Sequence, residues 1–243
     1  MKLGLSLSVN SVSGAKSEPL TDLNDIAGLQ LWYKNLNGLS TVAGETDYNN
    51  FVTGDVMQWQ SQVGSNLLHN DQNYNRPQWS ESKMACDFKG SKHFDFTNQI
   101  SNSGDFTFTF SIRFDSVSVA NGILGGTSHN MFELEDEHTF QFRAGGTAQL
   151  ELVSTSEIVI NRWYEVALRR NSGTVDVMVN GVGIVNEQWD TGTDSDTIEL
   201  DHVGGWNGGG VSELDGYIRD MAYYNVALND LQIKNIFGLY GSY

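Results

Sequence analysis

Hydrophobic and polar residues alternate with a period of two along much of this chain. The clearest run is Phe106-Thr107-Phe108-Thr109-Phe110-Ser111-Ile112-Arg113-Phe114, apolar at even positions and polar at odd ones. That pattern predicts a strand with one buried face and one wet face. Similar runs span 56–60, 84–88, 122–125, 131–134, 139–143, 149–153, 163–169, 174–179, 197–202 and 214–224. Asn121-Gly122, Asn171-Ser172-Gly173 and Asn180-Gly181 punctuate them, and the last two predict hairpin turns around 175–179. About a dozen short strands predict an all-β, two-sheet antiparallel sandwich.

The period changes near the end. Asn229 and Gln232 stand three apart, the spacing of a capping box, and predict a short C-terminal helix. Leu228 and Ile233 are placed as its hydrophobic staple, Leu231, Ile236 and Phe237 as its buried face, and Gly238 as its stop. At the other end, Leu3, Leu5, Leu7 and Val9 alternate with small polar residues, and 11–25 is rich in Ser, Asn and Asp. The chain therefore divides into an N-terminal arm and linker, 1–26, and one sandwich domain, 27–243. The arm either joins an edge of its own sandwich or adds a strand to a partner.

Composition narrows the function classes. Thirty acidic residues against 14 basic give a net charge of −16, which repels phosphate backbones and excludes nucleic acid as an expected partner. Cys86 is the single cysteine, so no internal disulfide is possible, and its place in an alternating run predicts a buried, inert thiol. Alternation after Lys2 is unlike the apolar core of a signal peptide, so none is expected. No run approaches the ~20 apolar residues of a membrane helix.

The stretch Arg162-Trp163-Tyr164-Glu165-Val166 through Val175–Asn180-Gly181, Val203-Gly204-Gly205-Trp206 and Leu214-Asp215-Gly216-Tyr217 to Tyr224 resembles the second half of laminin-G-like, concanavalin A-like jelly rolls. Leu31-Trp32-Tyr33, Asp55-Val56-Met57-Gln58-Trp59, Asn75-Arg76-Pro77 and Cys86-Asp87-Phe88-Lys89-Gly90 resemble the first half in its bacterial and bacteriophage form. The likeness covers about 27–238. Tyr33 and Lys34 stand where the family often has Asp after the Trp, and the loop 204–210 is unusually dense in glycine. Trp32, Trp59, Phe88, Trp163 and Tyr223 are expected to face the core.

The resemblance implies glycan binders, adhesins, virion proteins and a few enzymes. The leading expectation is a non-enzymatic bacteriophage structural or adhesion protein on the virion surface. Leu3, Leu5, Leu7 and Val9 would dock it on capsid, tail or fibre, and homo-oligomers are possible. The alternative is a bacterial surface or extracellular carbohydrate-binding module. Trp206, Asn207, Trp189 and Asp190 are the candidate sugar contacts, because loop aromatics stack on pyranose rings. The family often holds Ca²⁺ at the sandwich rim, which makes Asp194, Asp196 and Asp136 candidate ligands beside the alternative of a solvated acidic loop. The five histidines show no zinc-type spacing. A glycosidase would need Glu133, Glu135 and Glu137 on one strand face, yet 136–138 also reads as a hairpin turn.

Overall fold

The computed structural model describes 22–240, apart from 36, 41–54, 71, 73–74, 127–129, 146–148, 154–156, 182–183, 189–191, 195 and 206–211. After a 3₁₀ turn at Leu23–Asp25, the chain forms β1 (Leu29–Tyr33), β2 (Leu39–Ser40), β3 (Gln58–Gln60), β4 (Leu67–His69), β5 (Gln78–Ser80) and β6 (Ala85–Asp87). Longer strands follow: β7 (Phe94–Asn102), β8 (Phe106–Phe114), β9 (Asn121–Gly125), β10 (Met131–Asp136), β11 (Thr139–Arg143) and β12 (Leu150–Val153). The last set is β13 (Trp163–Asn171), β14 (Thr174–Gly181), β15 (Ile184–Gln188), β16 (Gly192–Thr193), β17 (Ile198–Val203) and β18 (Gly216–Tyr224), then helix α1 (Asp230–Tyr240).

The strands form two nine-stranded antiparallel sheets. Sheet A runs β15-β14-β13-β8-β18-β6-β5, with β1 on β18 and β16 on β14; sheet B runs β12-β11-β10-β9-β17-β7-β4-β3-β2. Between them lie Phe88, Phe94, Phe106, Phe108, Phe110, Phe132 and Phe140, with Trp59 and Tyr223. Phe108 stacks on Tyr223 at 4.6 Å between ring centroids. Each such ring removed from water stabilises the fold by roughly 1.5–3 kcal/mol. Ser172 and Gly173 turn β13 into β14 with φ of 51° and 82°, the doubly positive turn that matches strand twist. Cys86 is buried, and burial, then the charge of Asp87, pushes its thiol far above the usual range.

Helix α1 packs on the outer face of sheet A against Ala167, Met178, Ala222 and Tyr224. Its capping box is closed: Asn229 N donates to Gln232 Oε1 at 2.9 Å and Gln232 N to Asn229 Oδ1 at 3.0 Å. Leu228 and Ile233 are both buried there, as the staple requires.

This layer overturns several expectations. The odd positions of β8 are not wet, since Thr107, Thr109 and Ser111 are each fully buried beneath it. Thr107 Oγ1 donates to Val226 O at 3.0 Å and accepts from Leu228 N at 2.9 Å. Thr109 Oγ1 lies 2.9 Å from Tyr240 Oη. Trp32 faces this outer layer rather than the inter-sheet core, and Trp163 is half-buried with Arg219 over its ring at 4.5 Å. Leu231 is 57% exposed, because the buried stripe is Ile233, Ile236, Phe237 and Tyr240, three or four residues apart. Gly238 does not stop the helix, which runs on to Tyr240. Asn121-Gly122 opens β9 instead of making a turn. Leu23 and Ile26, placed in the linker by sequence, are buried in the helix layer.

Candidate functional site

Among the described residues no helix covers the outer face of sheet B. Met131, Glu133 and Gln141 are buried at its β10–β11 end, and strand register fixes what its other end presents. Gln58 pairs with His69, His69 with Asp95, Asp95 with His202 and His202 with Gly125. Directly opposed residues share a face, so these side chains form one row across five strands. His202 Nδ1 lies 2.6 Å from Asp95 Oδ1 and His93 Nε2 3.7 Å from the same oxygen. The two imidazoles meet edge to face at 5.7 Å.

Among the described residues this is the one group of three able to hold a metal ion, with a ligand atom from each within 4.8 Å of the others. His93 is buried, and burial is the main cause holding its pKa below the ordinary histidine value, against the opposing charge of Asp95. Burial would raise the Asp95 carboxyl, but the His202 hydrogen bond and the neighbouring histidines bring it below its usual range.

The Gly-rich loop starts and ends beside this group. At Gly204, φ is +86° and a side chain would meet the Phe88 ring, so only glycine fits. A Cβ at Gly205 would lie 3.7 Å from His93 Cβ, and Gly122 N donates to Ser212 O at 3.1 Å. Trp206 and Asn207, between these flanks, lie outside the described residues, as do Trp189, Asp190, Leu3, Leu5, Leu7 and Val9.

A cleft of about 550 Å³ opens at the far end of β7, between the sheets. Exposed Gln30, Asn98, Gln99 and Asn225 rim it, with Ser65 and Ser101, over Leu31, Ile100 and Tyr223. Asn66 fixes one wall: its Nδ2 donates to Asn98 O at 2.7 Å, and its Oδ1 accepts from Asn98 N at 3.0 Å. Asn102 fixes another by donating to Tyr223 Oη at 2.9 Å. Buried Arg170 holds the floor, donating to Gly104 O and Asn102 O from beneath the Phe106 ring.

The acidic residues expected at the rim are not one group. Asp194 is buried, its Oδ1 3.8 Å from Arg170 Nη1 and accepting from Asp196 N at 2.8 Å. Burial raises its pKa. Asp196 lies against Gly145, beyond the Arg143 end of β11, while Asp136 pairs with Thr139 at the opposite end. Asp136 Oδ1 instead caps the hairpin turn by accepting from His138 N at 2.8 Å.

The glutamates of β10 are also dispersed. A bulge falls between Leu134 and Asp136, so Glu135 is the extra, exposed residue and Glu137 sits in the turn. Alternation does not carry through a bulge, and the single face expected for all three is absent. Glu133 alone is buried, and burial raises its pKa despite a hydrogen bond with Ser212.

Two packed antiparallel sheets with an open polar face define a lectin-like β-sandwich. The chain belongs to the concanavalin A-like lectin/glucanases superfamily, whose family model matches residues 88–234. No curated protein matches it in sequence. A Trypanosoma rangeli sialidase structure, a covalent intermediate with 2,3-difluorosialic acid, is similar at 13% identity and a TM-score of 0.55. The match covers 89% of this chain and 34% of the sialidase, so the chain spans about a third of that protein. The CBM40 of Ruminococcus gnavus IT-sialidase, bound to α2,3-sialyllactose, matches at 16% identity over 55% of this chain and 82% of its own, with a TM-score of 0.42. A heptameric SAP-like pentraxin from Limulus polyphemus matches at 15% over 58% and 73%, with 0.45.

Proposed function

We propose that this chain is a non-enzymatic, carbohydrate-binding attachment module that takes a glycan in the amide-rimmed cleft. The cleft carries the reading. Its volume, about 550 Å³, falls in the range of small-molecule sites. Carboxamides and hydroxyls suit sugar hydroxyls, which both donate and accept, and Leu31, Ile100 and Tyr223 offer apolar floor to ring carbons. Walls pinned by Asn66, Asn102 and Arg170 are set before ligand arrives, which lowers the ordering cost of binding.

The finer reading is display on a bacteriophage particle, with Leu3, Leu5, Leu7 and Val9 as the docking strand. Its support is the alternating pattern of that segment and the resemblance to phage and bacterial sequences. A bacterial surface adhesin is the alternative setting for the same cleft.

An array of neutral and sialylated glycans, probed with Ca²⁺ and with EDTA, tests the proposal. Wild type is expected to bind, and the Asn98→Ala/Gln99→Ala double variant to bind roughly tenfold more weakly with an unchanged circular dichroism spectrum, a loss of about 1.4 kcal/mol. Glycan binding undisturbed by the double variant places the sugar elsewhere. No binding by the wild type in either arm overturns the reading.

A further inference from the structure

We propose that His93, Asp95 and His202 form a binding site for one divalent transition-metal ion of the zinc class on the outer face of sheet B. The donor set selects the class. Two imidazole nitrogens with one carboxylate oxygen suit zinc and its neighbours, whereas calcium requires six to eight oxygens.

Geometry agrees. Tetrahedral zinc with bonds of about 2.0–2.1 Å keeps its ligand atoms about 3.3 Å apart. The separations from Asp95 Oδ1, 2.6 Å to His202 Nδ1 and 3.7 Å to His93 Nε2, bracket that value. The two nitrogens lie within 4.8 Å of each other, so the three groups converge on one ion by adjustment of their side chains. The ion takes the place of the hydrogen between His202 and Asp95, and that proton leaves to solvent.

The frame is rigid where it needs to be. Asp95 and His202 are directly opposed on adjacent strands, next to a register shift in β7, so their spacing is set by strand pairing rather than by a loop. His93 is fixed by its backbone: its N–H donates to Asn75 O at 3.0 Å and its carbonyl accepts from buried Asn70 at 2.9 Å. The site is also reachable. The Asp95 side chain is 34% exposed, and the opposed residue on the far side of His202 is Gly125, which has no side chain to fill the space. Three protein ligands leave a fourth position open to water or to an oxygen of a bound molecule.

This group sits at the start of β7 and the amide cleft at its end, so the two sites can be tested apart. Isothermal titration with ZnCl₂ and with CaCl₂, and Co²⁺ absorption spectra, would be recorded on wild type, His202→Ala, Asp95→Asn and the remote control His138→Ala. Expected are one equivalent of Zn²⁺, the visible bands of nitrogen-ligated Co²⁺ and no displacement by Ca²⁺. Both should vanish in His202→Ala and Asp95→Asn and persist in His138→Ala. A cooperative melt without zinc in every variant checks that each one folds, and a zinc-dependent rise in melting temperature is expected only in wild type and His138→Ala. Absence of Zn²⁺ binding to the wild type, binding that both variants retain, or loss in His138→Ala would each overturn the assignment.

Discussion

On β8, in sheet A, the outward Thr107, Thr109 and Ser111 are fully buried and hydrogen-bonded to the helix layer or its neighbours. On β7, in sheet B, Thr97, Asn98 and Gln99 are all exposed at a register shift, and Asp95 is half-buried beside two histidines. Residue types on the two faces are alike; their partners differ. Sheet A spends its polar groups on its own helix, so they serve stability. Sheet B leaves hydroxyls, imidazoles and a carboxylate around β7, and amides at the edge of the cleft between the sheets, where a ligand can meet them. A substitution should therefore cost folding energy on one face and binding on the other.

The largest test of that division is a truncation on each side. Phe237, buried between α1 and sheet A, becomes a cavity in Phe237→Ala, with an expected loss of about 3–5 kcal/mol in urea unfolding. Gln99→Ala at the cleft rim should stay within about 0.5 kcal/mol of wild type. Comparable losses in the two variants would mean that sheet B's face is as structural as sheet A's.

Asp220 sharpens the comparison through pH. This β18 carboxyl is fully buried, with Asn35 N donating to its Oδ1 at 3.0 Å and its Oδ2 unpartnered. Burial pushes its pKa up to about 7, against that hydrogen bond and the charges of Arg219 and Lys34. A carboxyl whose folded pKa lies above its unfolded value, about 3.9, holds its proton more tightly when folded. Its contribution is most favourable below pH ~4, falls as the pH climbs towards 7 and is fully lost above that, by at most about 4 kcal/mol. Asp220→Asn keeps the acceptor and removes the charge. The variant should match wild type near pH 4 and exceed it near pH 8, and a constant difference across that span would refute the assignment.

How much of this could be read from sequence follows from the range of each signal. The β8 strand was legible because alternation is local. The burial of its odd residues was not, because their partners Val226 and Tyr240 lie more than a hundred positions away. The helix was legible down to its capping box, since Asn229 and Gln232 carry the signal within one turn. Its C-terminal end was missed because Gly238 meets open space and Tyr240 is held by Thr109. The histidine group escaped because zinc spacings are local, while His202 is 107 positions from Asp95. Only His93 and Asp95, two apart at the start of β7, offered a hint. The cleft joins 30–31, 64–66, 98–102, 104–105, 223 and 225, which nothing in the order of residues brings together.

The smallest effect gives the closest comparison, because it makes the same change on both faces. Thr109→Val removes a hydroxyl 2.9 Å from Tyr240 Oη in a fully buried site. The tyrosine hydroxyl loses this partner without gaining water, and an expected loss of about 1–2 kcal/mol follows from that desolvation. Thr97→Val removes a hydroxyl that donates to Leu67 O at 3.0 Å on the exposed face. Water replaces that bond at once, and valine suits a strand at least as well as threonine, so the change should be below about 0.5 kcal/mol. Paired urea titrations of the two variants against wild type read both. Equal losses would show that water does not reach β7 as freely as its exposure implies, and the polar face of sheet B would then have to be assigned to packing rather than to binding.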